Sequence, residues 1–341
     1  MSVAILRDDL FLSHDPGEGH PESPARLRAI HASLDRDPVP GTVLVAPRAA
    51  TREEILRVHA PAHLDAIART AGRPRVWLDA DTRTSETSYE AALRAAGATI
   101  EGVERVLAGE ATGAFALVRP PGHHAEAARA MGFCLFNNVA IAAAHAVEAK
   151  GLRRVLVLDP DVHHGNGTQH AFWTRDDVLY VSSHRYPFYP GTGAYDEVGE
   201  GPGRGATVNL PLPAGAGDAD FLFLYQEVAE PVVRAFEPEL ILVSAGFDTW
   251  RDDPIGGMAQ TERGFAALYA LFRRWADEHC PGRLVMVLEG GYDGAGLVAG
   301  VRAALGAMTA AAAPSVEVEG RASAIARGVA GAVRRALAGT R

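Results

Sequence analysis

Short apolar runs alternate with longer amphipathic stretches along this chain of 341 residues, and this alternation limits the fold more than any other feature. Several runs are almost wholly apolar, as expected for parallel strands that are covered on both faces. The predicted strands are residues 42–47, 114–120, 154–159, 178–184, 206–212, 239–246 and 283–291. Helical spacing of alanine, leucine and charged residues predicts helices over 85–108, 137–150, 218–236 and 261–279. The pattern therefore predicts an α/β fold with a mostly parallel central sheet and helices on both faces.

Two segments depart from this alternation. Residues 186–206 are rich in glycine and proline and are typical of a long surface loop, because strands and helices resume after them. The alanine-rich residues 306–341 are consistent with either a closing amphipathic helix or a frayed tail. We therefore predict a single domain over residues 1–341.

Charge and composition narrow the classes of partner. The net charge of −9 is spread along the chain without a lysine- or arginine-rich run, which argues against a nucleic-acid partner. The N-terminal apolar stretch is too short for a signal peptide, and no run has the length of a membrane span. The two cysteines, Cys134 and Cys280, are too few for a disulfide framework. We expect a cytoplasmic protein with no membrane partner.

Four polar clusters follow predicted strands, and they read "RPPGHHA", "DPDVHHGNGT", "SAGFD" and "EGGYD". The carboxyl ends of parallel strands share one edge of a sheet, which is where ligands bind in open α/β folds. We expect that edge to hold a site built from His123, His124, Asp159, Asp161, His163, Asp248 and Tyr292.

The clustered carboxylates favour a bound cation, because buried carboxylates repel one another and lose hydration unless a metal compensates their charge. Asp161 and His163 are two positions apart in an extended segment, so their side chains face the same side. With Asp248 they form a set of two carboxylates and one imidazole, which suits a catalytic zinc with open positions. Asp159 could bind a second, monovalent cation or orient a histidine.

Structural alternatives remain for several of these residues. Asp248 could cap a helix N-terminus, and Tyr292 could be an ordinary loop aromatic. His164 should point away from His163, and support of the site and catalysis are both open for it. A role as hydrogen-bonded core groups is the simpler interpretation for His59, His63, His145 and His170.

Five motifs in order, "GHHAEAARAMGFCLFNN", "DPDVHHGNGTQHAFW", "YVSSHRYPFYPGTGAYDEVGEG", "VSAGFD" and "LEGGY", resemble the arginase-type zinc-dependent histone deacetylase superfamily. The resemblance is greatest to its class II branch of bacterial amidohydrolases and extends from "GHPESPARLRAI" to about residue 305. It implies the three-layer arginase/deacetylase fold. It also implies a hydrolase that cleaves a linear amide C–N bond in an acylated amine.

The resemblance assigns roles to the clustered residues. It implies one zinc ion on Asp161, His163 and Asp248. It makes His124 the general base toward the attacking water, His123 an electrostatic assistant, and Tyr292 a hydrogen-bond donor to the substrate carbonyl. Behind the two histidines, Asp159 would hold His123 and Asn166 would hold His124.

Further residues are assigned to a second ion and to the substrate. The resemblance implies a structural potassium ion near Asp159, Asp161, His163 and Ser182. Gly132, Phe133 and Tyr189 would flank the acyl-lysine channel, and Asp81 would hold the substrate backbone at the rim. One residue departs from the family, which usually has an aromatic or aliphatic residue between the two aspartates where this chain has Pro160.

The expected substrate is an acylated lysine in a peptide or protein. Acetylpolyamine amidohydrolases of the same superfamily are expected to carry an acidic residue at the mouth, whereas the gatekeeper position here is Ile255. Glu18 and Glu22 in the first loop leave an acylated small amine open as the substrate.

Two other functions also remain open. The chain could be a catalytically weak module that binds acyl-lysine, although the presence of both His124 and Tyr292 argues against it. It could also be an arginase-like hydrolase with two manganese ions, which would need more metal ligands than we can place. A homo-oligomer and iron in place of zinc are compatible with the sequence.

Overall fold

An eight-stranded parallel sheet forms the centre of the protein, in a computed structural model that describes residues 2–340. The strand order is β2-β1-β5-β10-β9-β6-β7-β8, and every neighbouring pair is parallel. The strands of this sheet are β1 (Val3–Leu6), β2 (Thr42–Val45), β5 (Ala114–Ala116), β6 (Val155–Asp159), β7 (Val178–Arg185), β8 (Thr207–Leu212), β9 (Leu240–Ala245) and β10 (Leu284–Leu288). A separate antiparallel pair consists of β3 (Val76–Trp77) and β4 (Arg83–Thr84).

The central strands are buried on both faces. Every residue of β5, β6, β8, β9 and β10 is buried, so side chains that point to either side of the sheet are covered. This burial explains why the runs are apolar without alternation. The predicted α/β class with a parallel sheet is confirmed.

Helices surround this sheet. They are α1 (Pro24–Arg36), α2 (Arg52–Ile55), α3 (Pro61–Ala68), α4 (Ser88–Leu107), α5 (Asn138–Glu148), α6 (Asn166–Ala171), α7 (Asp218–Leu224), α8 (Glu230–Phe236), α9 (Glu262–His279), α10 (Gly294–Thr309) and α11 (Ala324–Ala338). The predicted helix over 218–236 is present but contains a π-helical turn, Tyr225–Ala229, between α7 and α8. No helix within residues 2–340 has both the length and the apolar character needed to cross a membrane.

The two ends of the chain add elements that the apolar runs did not predict clearly. Strand β1 was missed because its four residues are soon followed by charged ones, yet it pairs with both β2 and β5. The alanine-rich end contains α11, which lies against β8 and buries Ala326, Ala330 and Val333. A closing helix, one of the two structures expected for residues 306–341, is therefore present.

The strand order places the candidate site. Strands β5, β10, β9 and β6 are consecutive in the sheet although they are far apart in sequence. Because all four are parallel, the segments that follow them emerge at one edge. Each of these segments carries one of the four polar clusters.

The buried side chain of His59 makes the stability of the folded protein depend on pH. Its Nδ1 donates to the carbonyl of Glu126 at 2.9 Å, and its Nε2 accepts from the amide of Asn137 at 2.8 Å, so the neutral ring satisfies both partners. Burial, reinforced by the neighbouring His63, lowers the pKa of His59 to about 3. Unfolded His59 has a pKa of about 6.5, so the unfolded chain binds the extra proton between these two values.

We predict that the contribution of His59 to stability is complete above about pH 6.5 and decreases as the pH falls toward 3. His59→Gln should lower the free energy of unfolding at pH 7.5. Between about pH 6.5 and 4.5, it should also reduce the slope of this free energy against pH, by up to the equivalent of one bound proton. Urea unfolding of both proteins across this range measures the two slopes. Identical slopes would contradict the assignment of a neutral buried His59.

Candidate metal centre and active site

Three ligating side chains meet where the segments after β6 and β9 approach each other. Asp161 and His163 follow β6, and Asp248 follows β9. All three are buried, and one ligand atom from each lies within 4.8 Å of the other two. The His163 Nδ1 lies 3.1 Å from Asp161 Oδ1 and 3.2 Å from Asp248 Oδ2. The structure therefore brings together the three residues predicted to bind zinc.

Backbone amides orient both carboxylates. The amide of Gly290 donates to Asp161 Oδ2 at 2.9 Å, and the amide of Val162 donates to Asp248 Oδ1 at 2.8 Å. The second oxygen of Asp248, Oδ2, is buried and has no hydrogen-bond partner among the described residues. A buried carboxylate oxygen without a donor is costly unless a positive charge faces it. This orphaned oxygen and the two-carboxylate, one-imidazole set fit a divalent cation such as zinc.

Two glycines leave the space that the carboxylates occupy. A Cβ on Gly290 would lie 2.0 Å from Asp248 Oδ2, and a Cβ on Gly246 would lie 2.1 Å from Asp161 Oδ2. Any side chain at either position would displace a carboxylate. This contact explains why the clusters after β9 and β10 contain glycine beside their polar residues.

The electrostatics of this centre show an excess of negative charge. Burial opposes protonation of His163, but its hydrogen bond to Asp161 and the close negative charge of Asp248 outweigh burial and raise its pKa to about 9. Burial and the neighbouring Asp161 charge also raise the pKa of Asp248 to about 7. The raised pKa values of His163 and Asp248 both mean that the space between the two carboxylates attracts positive charge. A proton on His163 compensates part of the negative charge of the two carboxylates, as a bound metal ion would.

His123 and His124 follow β5 and have different partners. The Nδ1 of His123 donates to Asp159 Oδ2 at 3.1 Å, and the hydroxyl of Tyr180 donates to the same oxygen at 2.9 Å. Although burial alone lowers the pKa of His123, the carboxylates of Asp159 and Asp161 raise it to about 10. His123 is therefore cationic at neutral pH.

His124 has a neutral partner instead. Its Nδ1 donates to the Asn166 side-chain oxygen at 2.8 Å, while the Asn166 side-chain nitrogen donates to Glu126 Oε1 at 2.5 Å. Burial and the positive charge of the adjacent His123, whose ring centroid is 4.0 Å away, hold the pKa of His124 well below its usual range. With its proton on Nδ1, His124 has an unprotonated Nε2 on a ring that lines the cavity. This is the state that a general base requires.

A cavity of about 170 Å³ opens at this centre. It contains all five predicted substrate-binding residues, both tandem histidines and Tyr292. Its lining consists of Asp81, Pro121, His123, His124, Gly132, Phe133, His163, Phe188, Tyr189, Ile255, Gly290 and Tyr292.

The segment Gly132–Phe133 has an unusual backbone. Both residues have positive φ, +55° at Gly132 and +68° at Phe133. A Cβ on Gly132 would lie 2.3 Å from the ring of His124, so only glycine allows this approach. The Phe133 amide donates to Thr82 Oγ1 at 3.0 Å, which fixes the aromatic ring beside the cavity.

Tyr292 follows β10 and is partly buried beside the cavity. Its amide donates to Asp253 Oδ2 at 2.7 Å, and the Arg26 guanidinium lies 5.0 Å from its ring centroid. Burial raises the pKa of the Tyr292 phenol well above its usual value. The phenol is therefore a hydrogen-bond donor across the neutral pH range.

Ser182 and His164 lie behind the site and do not line the cavity. Ser182 pairs in register with Asp159 across β6 and β7, and its hydroxyl contacts His184 Nδ1 at 2.9 Å. The potassium ion expected near Ser182 stays a prediction. His164 points away from the metal centre and bonds to Thr192 and Gln169, which is a supporting role.

The mouth of the cavity differs from expectation in one respect. Glu22, considered as an acidic group available to a polyamine, is fully buried and ion-paired with Arg119 at 2.5 Å and with Arg26 at 3.1 Å. It cannot select a cationic substrate because its charge is already compensated. Glu18 is exposed.

Phe188 and Glu289 are among the site residues that the sequence analysis did not predict. The Phe188 ring stacks on His163 with centroids 5.4 Å apart, and the Glu289 carboxylate accepts from the amides of Gly122 and His123. The signals were present in the sequence. Phe188 precedes Tyr189 in an aromatic loop, and Glu289 is an ionisable residue at the end of an apolar strand.

The comparisons with known proteins agree with one another. The model of the histone deacetylase domain matches residues 20–308. Histone deacetylase 15 of Arabidopsis thaliana is 41% identical over 302 residues, which cover 86% of this chain and 54% of that protein. The chain thus spans about half the length of that relative.

A bacterial relative and a solved structure extend the likeness. The histone deacetylase-like amidohydrolase of Pseudomonas aeruginosa is 40% identical over 277 residues, which cover 81% of this chain and 73% of that protein. The crystal structure of the HDA15 HD domain superposes with a TM-score of 0.91 at 38% identity, over 98% of this chain and 94% of that one. With this fold, this strand-end site and a domain match over most of its length, the chain belongs to the histone deacetylase family of amide-hydrolysing enzymes.

Proposed function

We propose that this protein is a zinc-dependent amidohydrolase that removes an acetyl or other acyl group from the ε-amine of lysine in peptides or proteins. The observation that carries the proposal is the position of the metal-ligating triad, Asp161, His163 and Asp248, at a cavity that both tandem histidines and Tyr292 also line. In this proposal the triad holds one zinc ion. A structural potassium ion near Asp159 and Ser182 is part of the same proposal.

The bound zinc would lower the pKa of water and polarise the amide carbonyl. The residues of the chain provide the proton transfers. His124 takes the proton of the attacking water on Nε2 and returns it to the departing amine. Cationic His123, held by Asp159, stabilises the negative charge that develops beside it. Tyr292 donates its phenolic proton as a hydrogen bond to the oxyanion.

The shape of the cavity supports a substrate with a slim apolar stem. Aromatic rings of Phe133, Phe188 and Tyr189 line it together with Ile255, and this lining suits the methylene chain of lysine. Asp81 lies among the lining residues and can accept hydrogen bonds from substrate backbone amides. An acylpolyamine is the alternative substrate. Neither buried Glu22 nor apolar Ile255 offers a charge to its free amine, which leaves Asp81 as the carboxylate among the lining residues.

Replacement of Tyr292 tests the hydrolytic mechanism. Tyr292→Phe removes one hydrogen-bond donor to the oxyanion, and such a loss lowers kcat by about 10²–10³-fold. We expect this decrease on an acetyl-lysine peptide with the zinc-loaded protein, with KM nearly unchanged. Tyr195→Phe, which alters an exposed tyrosine, is the matched control. A zinc-loaded protein that cleaves no acyl-lysine or acylpolyamine amide, or a Tyr292→Phe variant with full kcat, would refute the mechanism.

Replacement of Ile255 tests the substrate class. The wild-type protein should have a higher kcat/KM for an acetyl-lysine peptide than for N-acetylputrescine, because the gatekeeper position holds apolar Ile255 and not a carboxylate. Ile255→Glu should shift the ratio toward N-acetylputrescine by about tenfold, since it places a charge near the free amine. Steady-state kinetics on both substrates give the ratio. A wild-type preference for N-acetylputrescine would instead identify a polyamine deacetylase.

A further inference from the structure

A row of four hydrogen-bonded side chains leads from the cavity to the protein surface. His124 Nδ1 contacts Asn166 Oδ1 at 2.8 Å, and Asn166 Nδ2 contacts Glu126 Oε1 at 2.5 Å. Glu126 then accepts from His170 Nδ1, at 2.8 Å to Oε1 and 3.0 Å to Oε2. His124 is buried, whereas the His170 side chain is 50% exposed.

The backbone holds these side chains in place on both sides of the row. Asn166 and His170 are four residues apart in α6, so they lie on the same face of that helix. On the other side, the Glu126 carbonyl accepts from the buried ring of His59, and the Glu126 amide donates to the carbonyl of Arg129 at 2.9 Å. The Glu126 carboxylate is therefore anchored where it faces α6.

The chemistry of Glu126 determines how the Asn166 amide is oriented. A carboxylate only accepts hydrogen bonds, whereas a primary amide has one accepting end and one donating end. Facing Glu126, the amide must present its nitrogen to the carboxylate and its oxygen to His124. A weaker contact of the same nitrogen with the His124 carbonyl, at 3.3 Å, favours the same orientation.

We propose that Glu126 is a positioning residue that fixes the ring tautomer of His124 through Asn166. With the oxygen of Asn166 facing it, His124 keeps its proton on Nδ1 and leaves Nε2 free as the base. Asparagine is neutral, so without Glu126 either end of its amide could face His124. His123 needs no such device, because Asp159 behind it is itself a carboxylate.

His170 is hydrogen-bonded to Glu126 at the surface end of the row. The bond to Glu126 raises the pKa of His170, despite the opposing effect of its partial burial. Glu126 keeps 22% of its side chain exposed, so the pair is neither deeply buried nor fully solvated. His170 thus lies at the surface end of the row and is not one of the residues that line the cavity.

This inference rests on the proposed function for its kinetic consequences, but ring nitrogen chemical shifts read the tautomer directly. Glu126→Gln keeps an accepting oxygen and a donating nitrogen in place of the carboxylate, so both orientations of Asn166 become possible. In zinc-loaded protein at pH 8, we expect ¹⁵N NMR to show His124 with its proton on Nδ1 in the wild type and a mixture of tautomers in Glu126→Gln. On an acetyl-lysine peptide, kcat should fall about three- to tenfold while KM stays constant.

A second substitution supplies a rescue. Asn166→Asp places an accepting carboxylate against His124 but opposes it to Glu126, so this single variant should lose activity. Combining Asn166→Asp with Glu126→Gln lets the new glutamine donate to the new aspartate, and both the Nδ1 tautomer and most of kcat should return. Glu200→Gln, which alters an exposed carboxylate bonded to Trp173, is the matched control and should behave as the wild type.

The outcomes separate the two proposals. A pure Nδ1 tautomer in Glu126→Gln, or no rescue in the double variant, overturns the role of Glu126. An inactive wild-type protein with the expected tautomer change overturns the hydrolase proposal and leaves the positioning role standing. If Glu126→Gln lowers both kcat and the melting temperature without a change of tautomer, the role of Glu126 is structural only.

Discussion

Two buried carboxylates, Asp161 and Asp248, face each other with the ring of His163 between them, and most of the site depends on how their charge is balanced. They are brought together because β6 and β9 are neighbours in the sheet and end at the same edge. Backbone amides donate to both oxygens of Asp161 and to one oxygen of Asp248, and glycines leave room for both carboxylates. Such an arrangement is costly unless a positive charge lies beside the carboxylates, and a bound divalent cation would supply that charge.

The two tandem histidines show how neighbouring residues acquire different chemistry. Their rings are only 4.0 Å apart, yet His123 has a carboxylate behind it and His124 has an amide. The pKa of His123 is consequently raised, and that of His124 is lowered by burial and by the charge of His123. One imidazole is then a fixed cation and the other a neutral base. Both rings are equally buried, so the difference comes from the carboxylates near His123 and from the charge that His123 places beside His124.

Sequence patterns predicted the parallel sheet and the four strand-end clusters, because an apolar run followed by polar residues is a local signal. They failed where a long-range contact decides the outcome. Glu22 reads as a loop carboxylate, and only its pairing with Arg119, distant in sequence, explains its burial. Strand β1 is soon followed by charged residues, and its pairing with β2 and β5 is what identifies it as a strand of the sheet. Glu126 carries no sign in the sequence of its contact with Asn166, which the packing of α6 creates.

Calorimetric titration of zinc into the metal-free protein measures whether Asp161, His163 and Asp248 form a metal site. We predict one zinc ion per chain, with an affinity that falls at least about hundredfold in Asp248→Asn because a charged ligand is lost. Asp252→Asn, which alters a neighbouring exposed carboxylate, should bind zinc as the wild type does. Absence of zinc binding, two metal ions per chain, or an unchanged zinc affinity in Asp248→Asn would contradict the proposed zinc site.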